Sequence, residues 1–333
     1  MNIGTLAYAT NSGLGILARD FFAAGVVNRV LLVPHRHYTN YTDWYPDAFC
    51  KETADEFLTG LDCLLLFETG FYWDIVRAAN AKNIPVALMP MYEFSPKDPP
   101  CKIDLNICPS LLDLQYYGET WHKPSIFIPV PVSSNVEWRQ RSLAKIFVHN
   151  AGHGGYKFRN GTPEVLESLK HVKSDIKLIV RVQPDGELER LVQKFRETDS
   201  RLLIENRHVP YDELWSTGDV FLFPEQFNGL SLPMQEAFAS GLLVMAANRF
   251  PMNTWLPVDP LIPVSGYKEE RISVPVKRAV VSPEDVASTI DSWYDKDITV
   301  YSVAGREWAE AHSWERLKPR YMEALTNLRP ATL

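Results

Sequence analysis

Residues 221–241 read FLFPEQFNGLSLPMQEAFASG. The apolar run at 220–223 has the length of a strand covered on both faces, and Pro224 ends it. Asn228, Gly229 and Ser231 form a loop, and Pro233 suits the first turn of a helix over 232–240. A glycine-bearing loop that feeds a helix start presents backbone N–H groups and the positive end of the helix dipole, a place for an anion or a sugar hydroxyl. Glu236 falls within the first turn or so of that helix. An ordinary strand–loop–helix joint of an α/β domain would carry the same local pattern.

The flanking sequence continues the alternation. Strand-like runs at 3–9, 29–34, 63–67, 86–90, 105–109 and 126–130 are separated by helical patterns, notably 15–24, 72–81 and 111–117. Such alternation predicts a parallel sheet with helices on both faces. A second series follows, with strands at 145–150, 177–182, 202–205, 220–223 and 242–246 and helices at 163–170, 188–197, 211–216 and 232–240. The proline-rich stretch 251–275 reads as irregular, and helices are expected at 283–294 and 303–326. The polar, aperiodic segment PVSSNVEWRQRS (131–142) marks a linker. The expected organisation is an N-terminal Rossmann-like domain over 1–131, a linker over 132–143, a second Rossmann-like domain over 144–312, and a last helix within 313–333 packing back on the first domain. The fold class is α/β, two such domains facing each other across a cleft. Ligands of these sheets sit at the carboxyl ends of the strands.

Length and composition agree. At 333 residues with 46% hydrophobic content, the chain can build two sizeable cores. A net charge of -7 argues against a broad nucleic-acid-binding surface. No apolar run is long enough to span a bilayer. No basic leader precedes the first strand, so no secretion signal is read. The four cysteines lack metal-ligand spacing, and Cys63 and Cys108 sit in apolar runs, as reduced thiols of a cytoplasmic protein would.

The segment Asn228-Gly229-Leu230-Ser231-Leu232-Pro233-Met234-Gln235-Glu236-Ala237-Phe238-Ala239-Ser240-Gly241 resembles the donor-site signature of the family 4 retaining glycosyltransferases (group 1 glycosyltransferases), which have the GT-B fold. That signature is Glu, seven residues, Glu. The second Glu is kept as Glu236, Asn228 replaces the first, and Ser231 stands where a glycine is common. The resemblance implies a nucleotide-sugar site in which Glu236 accepts hydrogen bonds from ribose hydroxyls. A carboxylate suits a diol because it can accept from both. Position 228 would meet the transferred sugar, so Asn228 implies an altered sugar preference or an impaired site. Gly229, Leu230 and Ser231 belong to the same binding loop.

The first loop of the second domain, HNAGHGGYKFRNG (149–161), combines glycines that admit a ligand close to the backbone with cations beside them. A solvated glycine loop with surface cations would look alike. The resemblance places a diphosphate clamp here: Arg159, with Lys157 as its competitor, His153 at the matching spacing, and Gly154. The segment ENRHVPYDEL (205–214) resembles the loop that lines the nucleotide base, with His208 and Val209 at the base edge. In the first domain, Gly13 and Gly15 make a strand-to-helix turn that in the family closes over diphosphate and acceptor. Glu93 follows the fourth strand, where it could orient an acceptor hydroxyl or act as a base; a capped loop carboxylate fits as well. A Ser-Trp-Glu helix start at 313–315 is a further family feature. His35 and His37 have no third ligand nearby, and no metal site is expected.

The implied activity is transfer of a sugar, hexosyl or pentosyl, from a UDP- or GDP-sugar to an acceptor hydroxyl, with retention and without a metal or cofactor. The acceptor stays open among glycan, lipid, small molecule and modified DNA base, as does the oligomeric state. The alternatives are a catalytically impaired sugar-nucleotide-binding protein and a nucleotide-sugar epimerase on the same architecture.

Overall fold

The computed structural model describes residues 1–36, 39–152, 159–182, 186–207, 209–210, 213–255 and 260–329, without the side chains of 186–189 and 255. The chain divides into two compact units. One comprises Met1–Pro131, Ile272–Val274 and Trp314–Leu333; the other comprises Val132–Arg271 and Pro275–Ser313.

The first unit is built on six parallel strands: β1 (Ile3–Ala7), β2 (Arg29–Leu32), β3 (Cys63–Phe67), β4 (Val86–Met89), β5 (Leu105–Cys108) and β6 (Ser125–Phe127). They lie in the order β2-β1-β3-β4-β5-β6. The central strands IGTLA, CLLLF and VALM are buried along their whole length, as a sheet covered on both faces requires. Helices α1 (Gly13–Ala23), α2 (Ala54–Leu58), α3 (Trp73–Ala81) and α4 (Leu111–Asp113) connect them. The helix expected over 111–117 changes character, because residues Leu114–Thr120 form a π-helical turn. There Tyr116 stacks on Tyr92 with ring centroids 3.6 Å apart. The last helix (Trp314–Thr326) packs on this sheet's elements. Phe21 of α1 meets Trp314 and Tyr321 edge-on, each at 4.9 Å, and the Tyr321 hydroxyl donates to the carbonyls of Ile128 and Pro129 at 3.1 Å.

The second unit has β7 (Ile146–Asn150), β8 (Lys177–Val182), β9 (Leu202–Asn206), β10 (Val220–Phe223), β11 (Leu243–Ala247) and β12 (Leu261–Ile262), in the order β12-β11-β10-β7-β8-β9. All pairings are parallel. Helices α5 (Thr162–Ser168), α6 (Gly186–Arg196), α7 (Leu232–Ala239), α8 (Met252–Trp255), α9 (Pro283–Trp293) and α10 (Thr299–Ala311) complete it. Trp215, Phe221, Met234, Phe238 and Trp308 build one core cluster around α7.

Three further expectations change. The stretch 251–275 is not irregular throughout: it carries α8, β12 and β13 (Gly266–Arg271), which pairs antiparallel with β14 (Pro275–Val280). The charged run Lys268–Arg271 has no apolar face to announce a strand; the ribbon is held by its ladder, by the buried Val276 and Ala279 of β14, and by the Ala279 N–H, which donates to the Gln226 carbonyl at 2.8 Å. Residues 213–216 form turns rather than the end of a helix, and 211–212 fall outside the described residues. The pattern at 303–326 divides into two helices at 312–313, just before the Trp-Glu start.

Reading the second sheet from β9 gives first, second and third strands running one way from β7, and β10, β11, β12 running the other. The direction of winding reverses between β7 and β10. In open parallel sheets, that reversal leaves a crevice at the carboxyl ends of the two strands where ligands bind. The loops after β7 and β10 are those that carry Arg159 and Asn228.

Candidate functional site

At the switch point the two loops touch. The Gln226 N–H donates to the Arg159 carbonyl at 2.7 Å, and the Gln226 amide donates to Glu164 of α5 at 2.8 Å. Gly161, at φ 71°, lies so close to Pro224 that a Cβ there would come within 2.5 Å of the Pro224 carbonyl oxygen. Only glycine allows that approach. Beneath them His149, fully buried at the end of β7, bridges to the Leu222 carbonyl and the Thr162 hydroxyl, both at 2.8 Å. A carbonyl can only accept, so Nδ1 carries the proton and Nε2 accepts from Thr162. Burial pulls this imidazole down to about 4. It is therefore a neutral brace between strands, set below the loops.

The residues from Glu225 to Ser231 form a bonded turn. Glu225 is 2% exposed and Arg249, just past β11, is 3% exposed; their charged ends stand 3.4 Å apart. Burial raises the Glu225 carboxyl, against the pull of Arg249 and Arg159 and of the hydrogen bond from Asn228. The Asn228 amide donates to Glu225 Oε1 at 2.8 Å, while its Oδ1 accepts from the Leu230 and Ser231 N–H groups at 3.0 and 3.2 Å. This corrects the expectation of unsatisfied N–H groups before α7: those of Leu230 and Ser231 are taken by Asn228, and those of Met234 and Gln235 bond to the Ser231 carbonyl. Ser231 enters the helix at φ 47°, the left-handed region that glycine occupies without strain. A glycine preference at this position thus has a backbone cause.

Glu236, the fifth residue of α7, sits lower in the unit than a first-turn residue would. It is 7% exposed and accepts a hydrogen bond from the Trp215 indole at 3.1 Å. Trp215 in turn packs edge-on against Phe221, and its carbonyl accepts from the buried Arg141 at 2.9 Å. On the other side of β7, Arg181 donates to Glu205 at 2.7 Å. Burial would raise the Glu205 carboxyl, but Arg181 and Arg207 hold it below its ordinary value. Val209 follows in a half-buried loop, and Gly229 and Leu230 are buried within the turn. His153, Gly154, Lys157 and His208 lie outside the described residues.

The structure thus brings Arg159 against the Asn228 loop, with Glu225 and Arg249 inside it. Sequence reading missed the last two. The available signal was their placement: each stands two residues past the end of an apolar strand, and β10 and β11 are neighbours, so opposite charges meet there.

In the first unit, Gly15 and Gly13 differ. A Cβ at Gly15 would collide with the Thr10 carbonyl, whereas one at Gly13 would meet nothing within 4 Å. Ala at 15 is expected to destabilise the protein by about 1–3 kcal/mol and Ala at 13 by less than about 1 kcal/mol, compared by urea unfolding. Glu93 is buried after β4, close to Asp113. The Tyr92 N–H donates to Asp113 Oδ1 at 2.7 Å, and Ser110 donates to its other oxygen. Burial, then the nearby Glu93, pushes Asp113 up to about 8. A fully buried acid of this kind was not anticipated; after Ser110 it reads as an ordinary helix-start residue.

No protein-family model and no curated protein sequence matches the chain. Solved structures do. HepE from Anabaena, determined with UDP and glucose, superimposes with a TM-score of 0.72 at 12% identity, covering 98% of this chain and 100% of that one. A sucrose-phosphate synthase from Thermosynechococcus elongatus gives 0.68 at 14% identity, covering 98% and 99%. WaaG, a glycosyltransferase involved in lipopolysaccharide biosynthesis, gives 0.57 at 12%, covering 98% and 100%. The fold is that of GT-B glycosyltransferases. Among the described residues of this GT-B chain, no helix is long and apolar enough to cross a membrane, and no cluster of His, Cys, Asp and Glu could hold a metal ion.

Proposed function

We propose that the protein is a retaining glycosyltransferase whose second unit binds a nucleotide-diphosphate sugar. The observation that carries this reading is the meeting of Arg159 with the Glu225–Ser231 turn at the switch point of the second sheet. HepE, with UDP-glucose bound, makes UDP-glucose the first donor to try.

The diphosphate would lie against Arg159, with Lys157 and His153 belonging to the same loop in sequence. Their cations would take up the charge that grows on the leaving group, so that no metal is needed. The nucleoside would run from Glu236 of α7, which would meet the ribose, toward β8 and β9, where Val209 and His208 would meet the base. The sugar would then fall on the β10–β11 side, beside Asn228, Gly229, Leu230 and Ser231. In the transfer step the bond from the anomeric carbon to phosphate oxygen breaks, and the acceptor oxygen bonds to that carbon on the same face. The acceptor proton passes to the departing phosphate. Glu93 of the first unit would orient the acceptor or assist as a base, and Gly13, whose Cβ position is open, would admit a substrate close to the backbone, whereas Gly15 makes room for the Thr10 carbonyl.

Thermal shift with UDP-, GDP- and ADP-glucose tests the donor. At a hundredfold excess over Kd, the cognate donor adds about 2.7 kcal/mol of stability, a shift of roughly 5–10 °C. Glu236→Gln is expected to weaken UDP binding about tenfold. No shift with any of the three would overturn the reading. Binding without release of nucleoside diphosphate to any acceptor would favour a non-catalytic sugar-nucleotide-binding protein, which the missing carboxylate at 228 allows. Product anomer by NMR and activity in EDTA check retention and metal independence.

A further inference from the structure

We infer that Glu225 and Arg249 are a positioning pair that sets the 228–231 turn against the sugar end of the donor; this rests on the donor reading above. The pair does more than neutralise itself. Arg249 donates from Nε to the Glu225 carbonyl at 2.8 Å, from Nη2 to the Asn228 carbonyl at 3.0 Å and from Nη1 to the Phe250 carbonyl at 3.1 Å. One guanidinium fork therefore grips the start and the middle of the turn, at Glu225 and Asn228, which a lysine ammonium could not reproduce. The Glu225 carboxylate then orients the Asn228 amide, and the Asn228 oxygen fixes the N–H groups of Leu230 and Ser231. The hydrogen bonds run in series from a buried charge to the backbone, so each polarises the next.

A buried ion pair is on average a weak source of stability compared with apolar residues of the same volume. Its value here is geometric. The turn ends on Ser231 at positive φ, a conformation that persists only where its surroundings over-determine it. Asn228 holds the Ser231 N–H directly, and Arg249 holds the Asn228 carbonyl in turn. Both loops follow β10 and β11, on the side of Arg159 away from β8 and β9, where the donor reading places the sugar.

Glu225→Gln tests the pair, because glutamine keeps the shape and can still accept from Asn228 while losing the charge. Two readouts are made on the full chain: amide hydrogen exchange at Leu230 and Ser231 without ligand, and Kd for UDP and for UDP-glucose by calorimetry. Exchange at both amides is expected to accelerate at least about tenfold. UDP affinity is expected to stay within about twofold while UDP-glucose weakens about tenfold. Unchanged exchange overturns the positioning role, and a parallel loss for UDP and UDP-glucose overturns the sugar-end placement. If Glu225→Gln does not fold, Glu225→Asp, which keeps the charge but shortens its reach, is read in the same way. A wild-type protein that binds neither ligand overturns the donor reading and the sugar-end placement together, while exchange still decides whether the pair sets the turn.

Discussion

Asn228→Glu, which installs the carboxylate that the resembling glycosyltransferases carry there, is expected to cost about 3–5 kcal/mol of stability rather than improve the site. The amide of Asn228 stands 2.8 Å from Glu225 Oε1 as a donor, and a carboxylate in its place would be an acceptor facing an acceptor. Two carboxylates in a buried site cannot both stay ionised, so one must take a proton or the turn must open. Urea unfolding and a melting temperature lower by roughly 10 °C would register the loss. The double variant Glu225→Gln/Asn228→Glu moves the charge instead of doubling it and is expected to recover at least about 2 kcal/mol, a coupling measurable by a double-mutant cycle. Equal stability of Asn228→Glu and wild type would show that the turn is not built as described.

The second large effect is expected from Arg141→Met. Arg141 is 5% exposed, yet its partners are carbonyl oxygens: Gly218 at 3.1 Å, Ser240 at 2.9 Å, Trp215 at 2.9 Å and Arg139. Burial lowers its affinity for a proton to about 10, which leaves it charged at neutral pH. Methionine fills the space but takes the donor from the Gly218 and Trp215 carbonyls at about 1–3 kcal/mol each, and one of two donors from Ser240 and Arg139, partly offset by removing a buried charge. A net loss of about 3–5 kcal/mol follows. Arg141→Lys is expected to recover little, since one ammonium cannot reach carbonyls arranged around a planar fork. Because the Trp215 carbonyl is among those released, the indole that bonds Glu236 should loosen too. Under the donor reading, UDP affinity should fall in Arg141→Lys even at temperatures where the variant is fully folded.

The readable parts of the fold were those written in one continuous signal. The strands Cys63–Phe67, Lys177–Val182 and Val220–Phe223 have the limits their apolar runs predict, because burial on both faces leaves no alternation to blur the ends. The helix start marked by Pro233 was legible for a related reason, being a local backbone demand, whereas the positive φ of Ser231 showed only in the structure. What the sequence hid depends on distance. Glu225 and Arg249 are 24 residues apart and meet only because β10 and β11 are neighbours. Arg141 lies in a polar stretch that reads as linker, and its partners come from three separate segments. The π-helical turn at Leu114–Thr120 leaves no periodicity to detect, since it adds a residue to a pattern of 3.6. Asp113 looks like a helix-capping acid until its burial is seen.

The His149 bridge joins residues 73 positions apart, from β7 to the carbonyl of Leu222 on the neighbouring β10, with β8 and β9 intervening only in sequence. The two walls of the site therefore belong to separate halves of the second unit, each a run of strands and helices contiguous in sequence. Neither half holds both Arg159 and the 225–231 turn. During synthesis the first wall leaves the ribosome complete but partnerless, and the site comes into being only when β10 docks on β7. Nicking the chain in the turns between Glu213 and Gly218, between the halves, should leave two fragments that must find each other before either can hold a ligand.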